Sequence, residues 1–196
     1  MVRSIALRRG LAAAAALATV LATDAGAQQR PGQQRPVLSP RDTVSVDVAP
    51  GRRVYIDYGR PSMRGRRIMG GLVPYGRVWR TGANAATTLV TDVDLDLGGT
   101  RVPRGTYTLY TIPTAAGWTL IVNRQTGQWG TQYEPARDLA RIPMRVSTLR
   151  EPVEQFTMAL ERTRNGAGTL ALSWENTRAW LPFRVAGAAP RPRPRP

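Results

Sequence analysis

The stretch LVPYGRVWRTGANAAT, residues 72–87, holds the side chains of this chain that are best suited to ligand binding. Its hydrogen-bonding and stacking residues, which lie between turn-forming residues, are Tyr75, Arg77, Trp79, Arg80, Asn84 and Thr87. A guanidinium group matches a planar oxyanion with two parallel hydrogen bonds, and an aromatic ring stacks on a flat ligand face. The stretch is therefore a candidate site for an anionic ligand.

Neighbouring residues extend this candidate site. The side chains that can converge on a carboxylate, a phosphate or a sulfate are Arg60, Arg64, Arg66, Arg67, Arg80, Asn84 and Thr87. Tyr75, Trp79 and Trp129 offer rings for a sugar face. A purely structural role is the alternative: Arg80 and Asn84 can satisfy backbone groups of a long loop, and the two tryptophans can be core residues. The sequence leaves both roles open.

The residue types that are missing exclude several classes of site. The sequence has no Cys and no His, so Ser-His-Asp catalysis, Cys-His catalysis and an ordinary zinc site are excluded. Asp92, Asp94 and Asp96 have the spacing that opens a calcium loop, but Leu97 and Pro103 stand where that loop needs Gly and Glu. We therefore predict no metal site, no cofactor, and a solvated acidic strand face that is paired with arginines.

The N-terminal segment reads as a targeting signal. Three arginines precede a short apolar run, and small residues at 25–27 offer a cleavage site. The run is too short to span a bilayer as a mature helix. We predict a signal peptide over residues 1–27, cleaved between Ala27 and Gln28, and a periplasmic or secreted protein that does not span the membrane.

Composition divides the remaining chain into one domain and two appendages. Residues 28–42 are rich in Gln and Pro and are predicted to be a disordered lead-in. Residues 187–196 end in alternating Arg and Pro, which predicts an extended tail. A single β domain is therefore expected over residues 43–186.

The charge of the chain is strongly positive. It has 28 basic residues, all of them arginine, against 13 acidic ones, a formal net charge of +15. Such a balance is typical of nucleic-acid-binding proteins, but the export signal and the lack of an aromatic and basic RNA-binding pattern argue against a nucleic-acid partner. Coding bias toward Arg is the simplest explanation. Attraction to an anionic envelope surface, through Arg191, Arg193 and Arg195 of the tail, is the functional alternative.

Apolar and polar residues alternate along much of the domain, which is the pattern of half-buried strands. The segments that show it are 43–48, 53–59, 87–97, 105–113, 117–123, 156–160 and 170–174. Residues 165–168 carry an Asn-Gly hairpin signal, and residues 134–141 are the one place for a helical turn. Evenly spaced strands predict an all-β domain, an antiparallel sandwich or a partly open barrel, with residues 58–89 as one long ordered loop.

Several blocks of the sequence resemble a known family. RPSMRGRRIMGGLVPYGRVWRTGANAAT, PRGTYTLYTIP, GWTLIVN, QWG and TLALSWE are similar to the bacterial exported family catalogued as domain of unknown function 2911, over roughly residues 39–185. The resemblance implies a β-rich envelope or secreted domain without an established activity, so it carries over no catalytic residue. Met69 and Arg104 depart from the Phe and the small residue that are usual in the family.

Three functions remain open at this point. The favoured one is a noncatalytic envelope binding module for a glycan or another anionic ligand. An assembly or partner protein that uses its sheet edges and basic tail is the second. The third is a carboxylate-dependent hydrolase, for which Asp57, Glu134 and Asp138 are the acids near the candidate site. A glycosidase would need two carboxylates at a defined separation.

Overall fold

The structure, a computed structural model, describes residues 38–163 and 166–187. The predicted signal peptide, residues 28–37 of the lead-in, the Asn of the Asn-Gly turn signal and the tail from residue 188 onward lie outside the described residues. Within the described part of the chain, no helix is long and apolar enough to cross a membrane.

The described residues form nine β-strands and one short 3-10 helix. The strands are β1 (Arg41–Ala49), β2 (Arg52–Gly59), β3 (Thr87–Thr91), β4 (Leu95–Leu97), β5 (Thr100–Val102), β6 (Gly105–Pro113), β7 (Trp118–Asn123), β8 (Asp138–Arg162) and β9 (Ala167–Val185). The 3-10 helix spans Pro135–Arg137. It occupies the segment where a helical turn was predicted, although that segment becomes strand from Asp138 onward.

All strand pairs are antiparallel, in the order β1-β2-β3-β6-β7-β8-β9-β4-β5. The sheet is not closed into a barrel, and the predicted all-β sandwich or partly open barrel is confirmed. β8 changes partner along its length, pairing with β7 up to Met144 and with β9 from Arg145. Its register with β9 shifts on both sides of Val153, and such irregularities bend a strand. β8 thus folds the sheet over a common core.

The alternating segments near the start of the domain and around β6 and β7 form strands as predicted. The segment 87–97 does not form one strand, because the chain bends at residues 92–94. The Thr91 hydroxyl donates to the carbonyl of Val93, and the Asp94 carboxylate accepts from the Arg104 backbone amide. The chain is thereby redirected, and β4 pairs with β9 instead of continuing beside β2 and β6.

The acidic residues at this bend pair with basic groups. Asp94 pairs with Arg101 at 2.5 Å, and Asp96 pairs with Arg184 on β9 at 2.7 Å. Asp92 accepts a hydrogen bond from the backbone amide of Arg53. The predicted pairing with arginines is therefore present at Asp94 and Asp96, but the three acids do not share one strand face, because Asp92 and Asp94 lie in the bend before β4. Among the described residues there is no group of three acids that could hold a metal ion.

The long segment between β2 and β3, residues 60–86, is called the β2–β3 loop below. It is an ordered loop, as predicted, and its Ile68 and Val73 side chains are fully buried. The Glu175 carboxylate accepts the backbone amides of Ile68 and Met69, while Trp79 and Thr111 exchange two backbone hydrogen bonds. The loop is therefore fastened to β6 and β9 and lies across one end of the sheet.

Candidate functional site

A cleft of about 690 Å³ lies between the β2–β3 loop and the sheet. Most of its lining comes from that loop, namely Pro61, Arg64, Arg66, Leu72, Val78, Trp79, Arg80, Gly82, Ala83 and Asn84. The rest comes from the segment before β1, from β6, from the β7–β8 loop (residues 124–137) and from β9, namely Leu38, Ser39, Tyr110, Gly130, Thr131, Tyr133 and Trp174. Five separate parts of the chain therefore meet at this cleft.

Two stacked tryptophans form part of the cleft wall. The rings of Trp79 and Trp174 lie with centroids 5.8 Å apart and planes 21° apart. Trp79 also meets Phe156 edge-on at 5.0 Å and Trp118 at 6.2 Å. The indole nitrogen of Trp174 donates to the carbonyl of Glu154. Trp174 is only 1% exposed, so the surface that the pair offers to the cleft comes almost entirely from Trp79, which its ring contacts hold in a preorganised position.

Three arginines add positive charge to the lining. Arg64 donates to the carbonyl of Leu38 at 2.6 Å, Arg66 donates to two carbonyls of its own loop, and the Arg80 Nε donates to the carbonyl of Gly82 at 3.3 Å. Among the described residues, no ion pair uses any of the three, and no Asp or Glu lines the cleft. The described lining therefore carries net positive charge, although the Glu154 carboxylate accepts the backbone amide of Arg64 at 2.9 Å.

Left-handed backbone conformations are concentrated around the cleft. Within the described ranges, the non-glycine residues with positive φ are Arg64, Thr81, Asn84 and Glu175. Arg64 and Asn84, at φ 50° and 63°, line the cleft, and Asn84 accepts the backbone amide of Gly130 at 2.9 Å. Such conformations are costly for residues with a side chain and gather at ligand sites. The two loops are thus held in fixed positions across the cleft.

Two tyrosines complete the wall. Tyr110 and Tyr133 meet edge-on with centroids 4.8 Å apart. The Tyr133 hydroxyl donates to Asp138 at 2.7 Å and accepts from Arg141 at 2.9 Å. Burial, reinforced by the hydrogen bond to Asp138, raises the pKa of Tyr133 to about 12. The Tyr133 phenol therefore stays protonated and neutral at ordinary pH.

The tyrosine wall is supported by the half-buried Gln128. The Gln128 side-chain amide donates to the hydroxyls of Tyr110 and Thr108 at 3.0 and 3.1 Å. Tyr110 in turn donates to the carbonyl of Gln132. The Gln128 carbonyl oxygen is buried without a hydrogen-bond partner among the described residues. This network ties β6 to the β7–β8 loop and fixes one side of the cleft.

Five of the residues singled out from the sequence line the cleft together: Arg64, Arg66, Trp79, Arg80 and Asn84. The structure places the others outside the lining. Arg60 pairs with Asp42 and donates to the carbonyl of Phe156 and the hydroxyl of Thr157, so it fastens β1 to β8. Its contacts are those of a structural clamp rather than of a ligand group.

The remaining predicted residues also lie outside the lining, namely Arg67, Tyr75, Arg77, Thr87 and Trp129. Thr87 is fully buried, and its hydroxyl donates to the carbonyl of Thr81. Tyr75 is 44% exposed and packs against Gly70. Trp129 is 51% exposed, and its residue forms a bridge with Ala85 beside the lining residue Gly130. Trp129 therefore adjoins the cleft, whereas Tyr75 is an exposed residue of the β2–β3 loop.

Sequence reasoning missed the part of the lining that does not come from the β2–β3 loop. Tyr110 and Trp174 fall in segments whose alternation predicted ordinary strand residues, and no local motif distinguishes them. Tyr133 follows Trp129 closely in a polar loop, so the exposed tryptophan was the available signal. Leu38 was assigned to the disordered lead-in, although the described chain begins there and strand β1 begins at Arg41.

The comparison with protein families gives one match. The family described as "Protein of unknown function (DUF2911)" matches residues 39–183. The chain belongs to this family. Its resemblance to domain of unknown function 2911 is thus confirmed, and the match covers every lining residue of the cleft except Leu38. The comparisons with curated proteins and with solved structures give no match for this DUF2911 protein.

Proposed function

We propose that this DUF2911 protein is a noncatalytic binding module of the bacterial envelope, and that its cleft binds an anionic ligand with a flat or apolar face. An acidic glycan is the ligand class that we favour. One observation carries the proposal: Arg64, Arg66 and Arg80 share a cleft with the Trp79 and Trp174 pair, and no carboxylate is present in the described lining.

The chemistry of the lining supports this ligand class. A guanidinium group binds a carboxylate, phosphate or sulfate through two parallel hydrogen bonds, and it stays charged at every physiological pH. Arg80 is half-buried, so its charge is screened less than that of a fully exposed arginine. An aromatic wall supplies apolar area to the uncharged part of the same ligand.

The size of the cleft also fits a small ligand. Small-molecule sites have volumes of about 300 to 1,000 Å³ and combine apolar walls with a few fixed polar groups. The cleft measures about 690 Å³ and is bounded by segments that hydrogen bonds hold in place. A site of this kind binds with little reorganisation of its walls.

The hydrolase alternative finds less support. Asp57 pairs with Arg41, Glu134 caps the 3-10 helix, and Asp138 is engaged by Tyr133 and Arg141. None of the three acids lines the cleft. A mechanism that requires two carboxylates on a bound sugar therefore has no candidate pair in the described lining.

Isothermal titration with matched oligosaccharides tests the proposal. A uronic-acid oligosaccharide and a neutral one of equal length are compared on the wild-type chain, on Arg80→Gln and on Arg52→Gln. Arg52 is exposed at the end of β2 opposite to the β2–β3 loop, so its variant controls for the loss of one charge. We expect binding of the acidic sugar alone, weakened at least ten-fold by Arg80→Gln only. Equal binding of the neutral sugar, or an equal loss in Arg52→Gln, would contradict the anionic site.

The cellular location belongs to the same proposal. We place the mature protein in the periplasm or outside the cell, after cleavage between Ala27 and Gln28. The support is the arginine-flanked apolar run with its small-residue cleavage site. Mass spectrometry of the exported protein tests it, and an intact Met1 in the envelope fraction would contradict it.

A further inference from the structure

The exposed apolar side chains of this protein are gathered around the cleft. Within residues 38–163 and 166–187, the large apolar residues that are strongly exposed are Leu38 at 61%, Leu72 at 48%, Tyr75 at 44%, Val78 at 37% and Trp129 at 51%. Three of them, Leu38, Leu72 and Val78, line the cleft, Tyr75 lies between the latter two in the chain, and Trp129 adjoins the lining residue Gly130. Scattered exposed apolar residues need no explanation, but a set confined to one site does.

The β2–β3 loop itself carries charge of one sign, although the Glu154 carboxylate of β8 accepts the backbone amide of Arg64. The β2–β3 loop has six arginines and no acidic residue in its sequence. Four of these arginines are exposed, namely Arg64, Arg66, Arg67 and Arg77. The exposed apolar side chains Leu72, Tyr75 and Val78 follow the first three in the chain, and Arg77 lies between Tyr75 and Val78. The cleft mouth therefore presents apolar and cationic side chains side by side.

We propose that the cleft mouth docks onto an anionic lipid surface. Leucine, valine and aromatic side chains enter the boundary between headgroups and acyl chains, while arginines contact lipid phosphates. Each basic residue near an anionic leaflet adds about five-fold to the partition coefficient, the equivalent of about 1 kcal/mol. Charge complementarity is the argument for a bilayer: the β2–β3 loop has six arginines and no acidic residue, and the negative surface potential of an anionic leaflet attracts basic side chains that lie beside membrane-inserting apolar ones.

This inference deepens the proposed function and rests on it, because both require that Arg64, Arg66 and Arg80 bind an anion. With the mouth against a bilayer, the anion that Arg64, Arg66 and Arg80 meet is a lipid headgroup phosphate. A soluble anion without an apolar face, such as glycerol phosphate, is bound without the apolar mouth residues Leu72 and Val78. They have a direct part in docking, so substitutions of these residues separate the two proposals.

Co-sedimentation with vesicles tests the docking surface on the full mature chain. Vesicles of phosphatidylglycerol and phosphatidylcholine are compared with vesicles of phosphatidylcholine alone. We expect binding to the anionic vesicles, reduced about ten-fold or more by the double substitution Leu72→Ser and Val78→Ser, because each apolar side chain loses its buried area. The matched control, Leu72→Met with Val78→Ile, keeps the mouth apolar and should bind as the wild type does. Both positions are exposed, and equal melting temperatures would confirm that both variants fold.

Two further arms separate docking from its alternatives. Deletion of residues 188–196 removes three arginines of the tail; we expect the apolar double substitution to lower binding in the deleted chain as well. If the deletion abolishes vesicle binding and the double substitution has no effect, the tail alone adsorbs and the docking surface is wrong.

Glycerol phosphate, titrated without vesicles, reports on the cleft alone. Binding of this soluble anion without any vesicle binding would overturn the docking surface and leave the proposed function standing, whereas the reverse result would overturn the soluble-ligand site.

Discussion

Gly130 lies directly against the side chain of Arg80. A Cβ atom added to Gly130 would stand 3.0 Å from Cδ and 3.2 Å from Cβ of Arg80, and 2.8 Å from the carbonyl oxygen of Asn84. The backbone amide of Gly130 donates to that same oxygen. The absence of a side chain at position 130 therefore sets how closely the β7–β8 loop approaches the two residues on which the proposed anion site depends.

Substitution Gly130→Ala tests this relationship. The new methyl group must push apart Arg80 and the Asn84 carbonyl, so we expect a loss of about 1 to 3 kcal/mol in the free energy of unfolding and weaker binding of an acidic ligand. Urea denaturation and calorimetric titration measure the two effects. Gly117→Ala is the control, because a Cβ there meets its nearest neighbour at an ordinary 3.7 Å. Equal free energies of unfolding for the two variants would show that the loops move apart to accommodate the methyl group at little cost.

The positions of the strands can be predicted from the local sequence where one face of a strand is buried. The alternation at β1 and β2 predicted their positions because each of these strands packs one row of side chains on the core. β6 and β7 alternate in sequence too, although residues 107–111 and 120–123 are buried on both faces. The length of β8 was not predictable in this way. It leaves one partner and joins another, and its register shifts beside Val153, so no single alternation runs along it. The position of a strand that changes partner, such as β8, is therefore set by the two strands with which it pairs.

The candidate site was predictable in part for a similar reason. The β2–β3 loop carries its own signal, because side chains such as Trp79 and Arg80 are unusual in a segment without regular structure. Which of them share a cleft depends on distant strands. From the sequence, Arg60 cannot be told apart from Arg64. In the structure, its guanidinium group donates hydrogen bonds to the Phe156 carbonyl and the Thr157 hydroxyl of β8. That contact spans almost a hundred residues of chain and leaves no local trace.

Arg60 and Arg64 should respond in opposite ways to the same substitution. Arg60→Gln breaks the 3.0 Å ion pair with Asp42 and the contacts to β8, so we expect a loss of about 1 to 3 kcal/mol in the free energy of unfolding. Arg64→Gln changes an exposed side chain and should cost less than about 1 kcal/mol while weakening the binding of an acidic ligand. Thermal denaturation and titration on both variants provide the comparison. A stable Arg60→Gln protein that no longer binds the ligand would assign Arg60 to the binding site.

The raised pKa of Tyr133 predicts a loss of stability at alkaline pH. Its phenol titrates at about 12 in the folded chain against an ordinary value of 10.0, chiefly because it is buried. Unfolding therefore releases a proton between these two pH values. The stabilisation is complete below about pH 10 and is lost as the pH rises toward 12, at up to about 1.4 kcal/mol per pH unit.

Tyr133→Phe isolates this contribution. Burial also raises the pKa of Tyr58, Tyr107 and Tyr110, so the wild-type protein should lose stability from several phenols over the same range. The variant should show a shallower dependence of its unfolding free energy on pH between about 10 and 11.5. Urea denaturation at closely spaced pH values measures both slopes. Parallel curves would mean that Tyr133 is as accessible to hydroxide in the folded protein as in the unfolded chain.

Arg80 and Asn84 decide whether the stretch 72–87 is a site or only a clamp. Arg80→Lys keeps the charge and loses the planar fork, so a bidentate contact to an anion should weaken while long-range attraction survives. Asn84 sits at φ 63°, where Ala is strained by roughly 1 kcal/mol and Gly is not, so Asn84→Gly is the better test of its amide.

We expect the free energy of unfolding of both variants to lie within about 1 kcal/mol of the wild-type value, because the Arg80 side chain makes one 3.3 Å hydrogen bond in the described structure and Asn84 is exposed. Both should lose acidic-ligand binding in the titration used for Arg64→Gln. A loss of several kcal/mol in either variant would instead assign the two residues to holding the β2–β3 loop against Gly130, and the cleft would then be a consequence of loop packing.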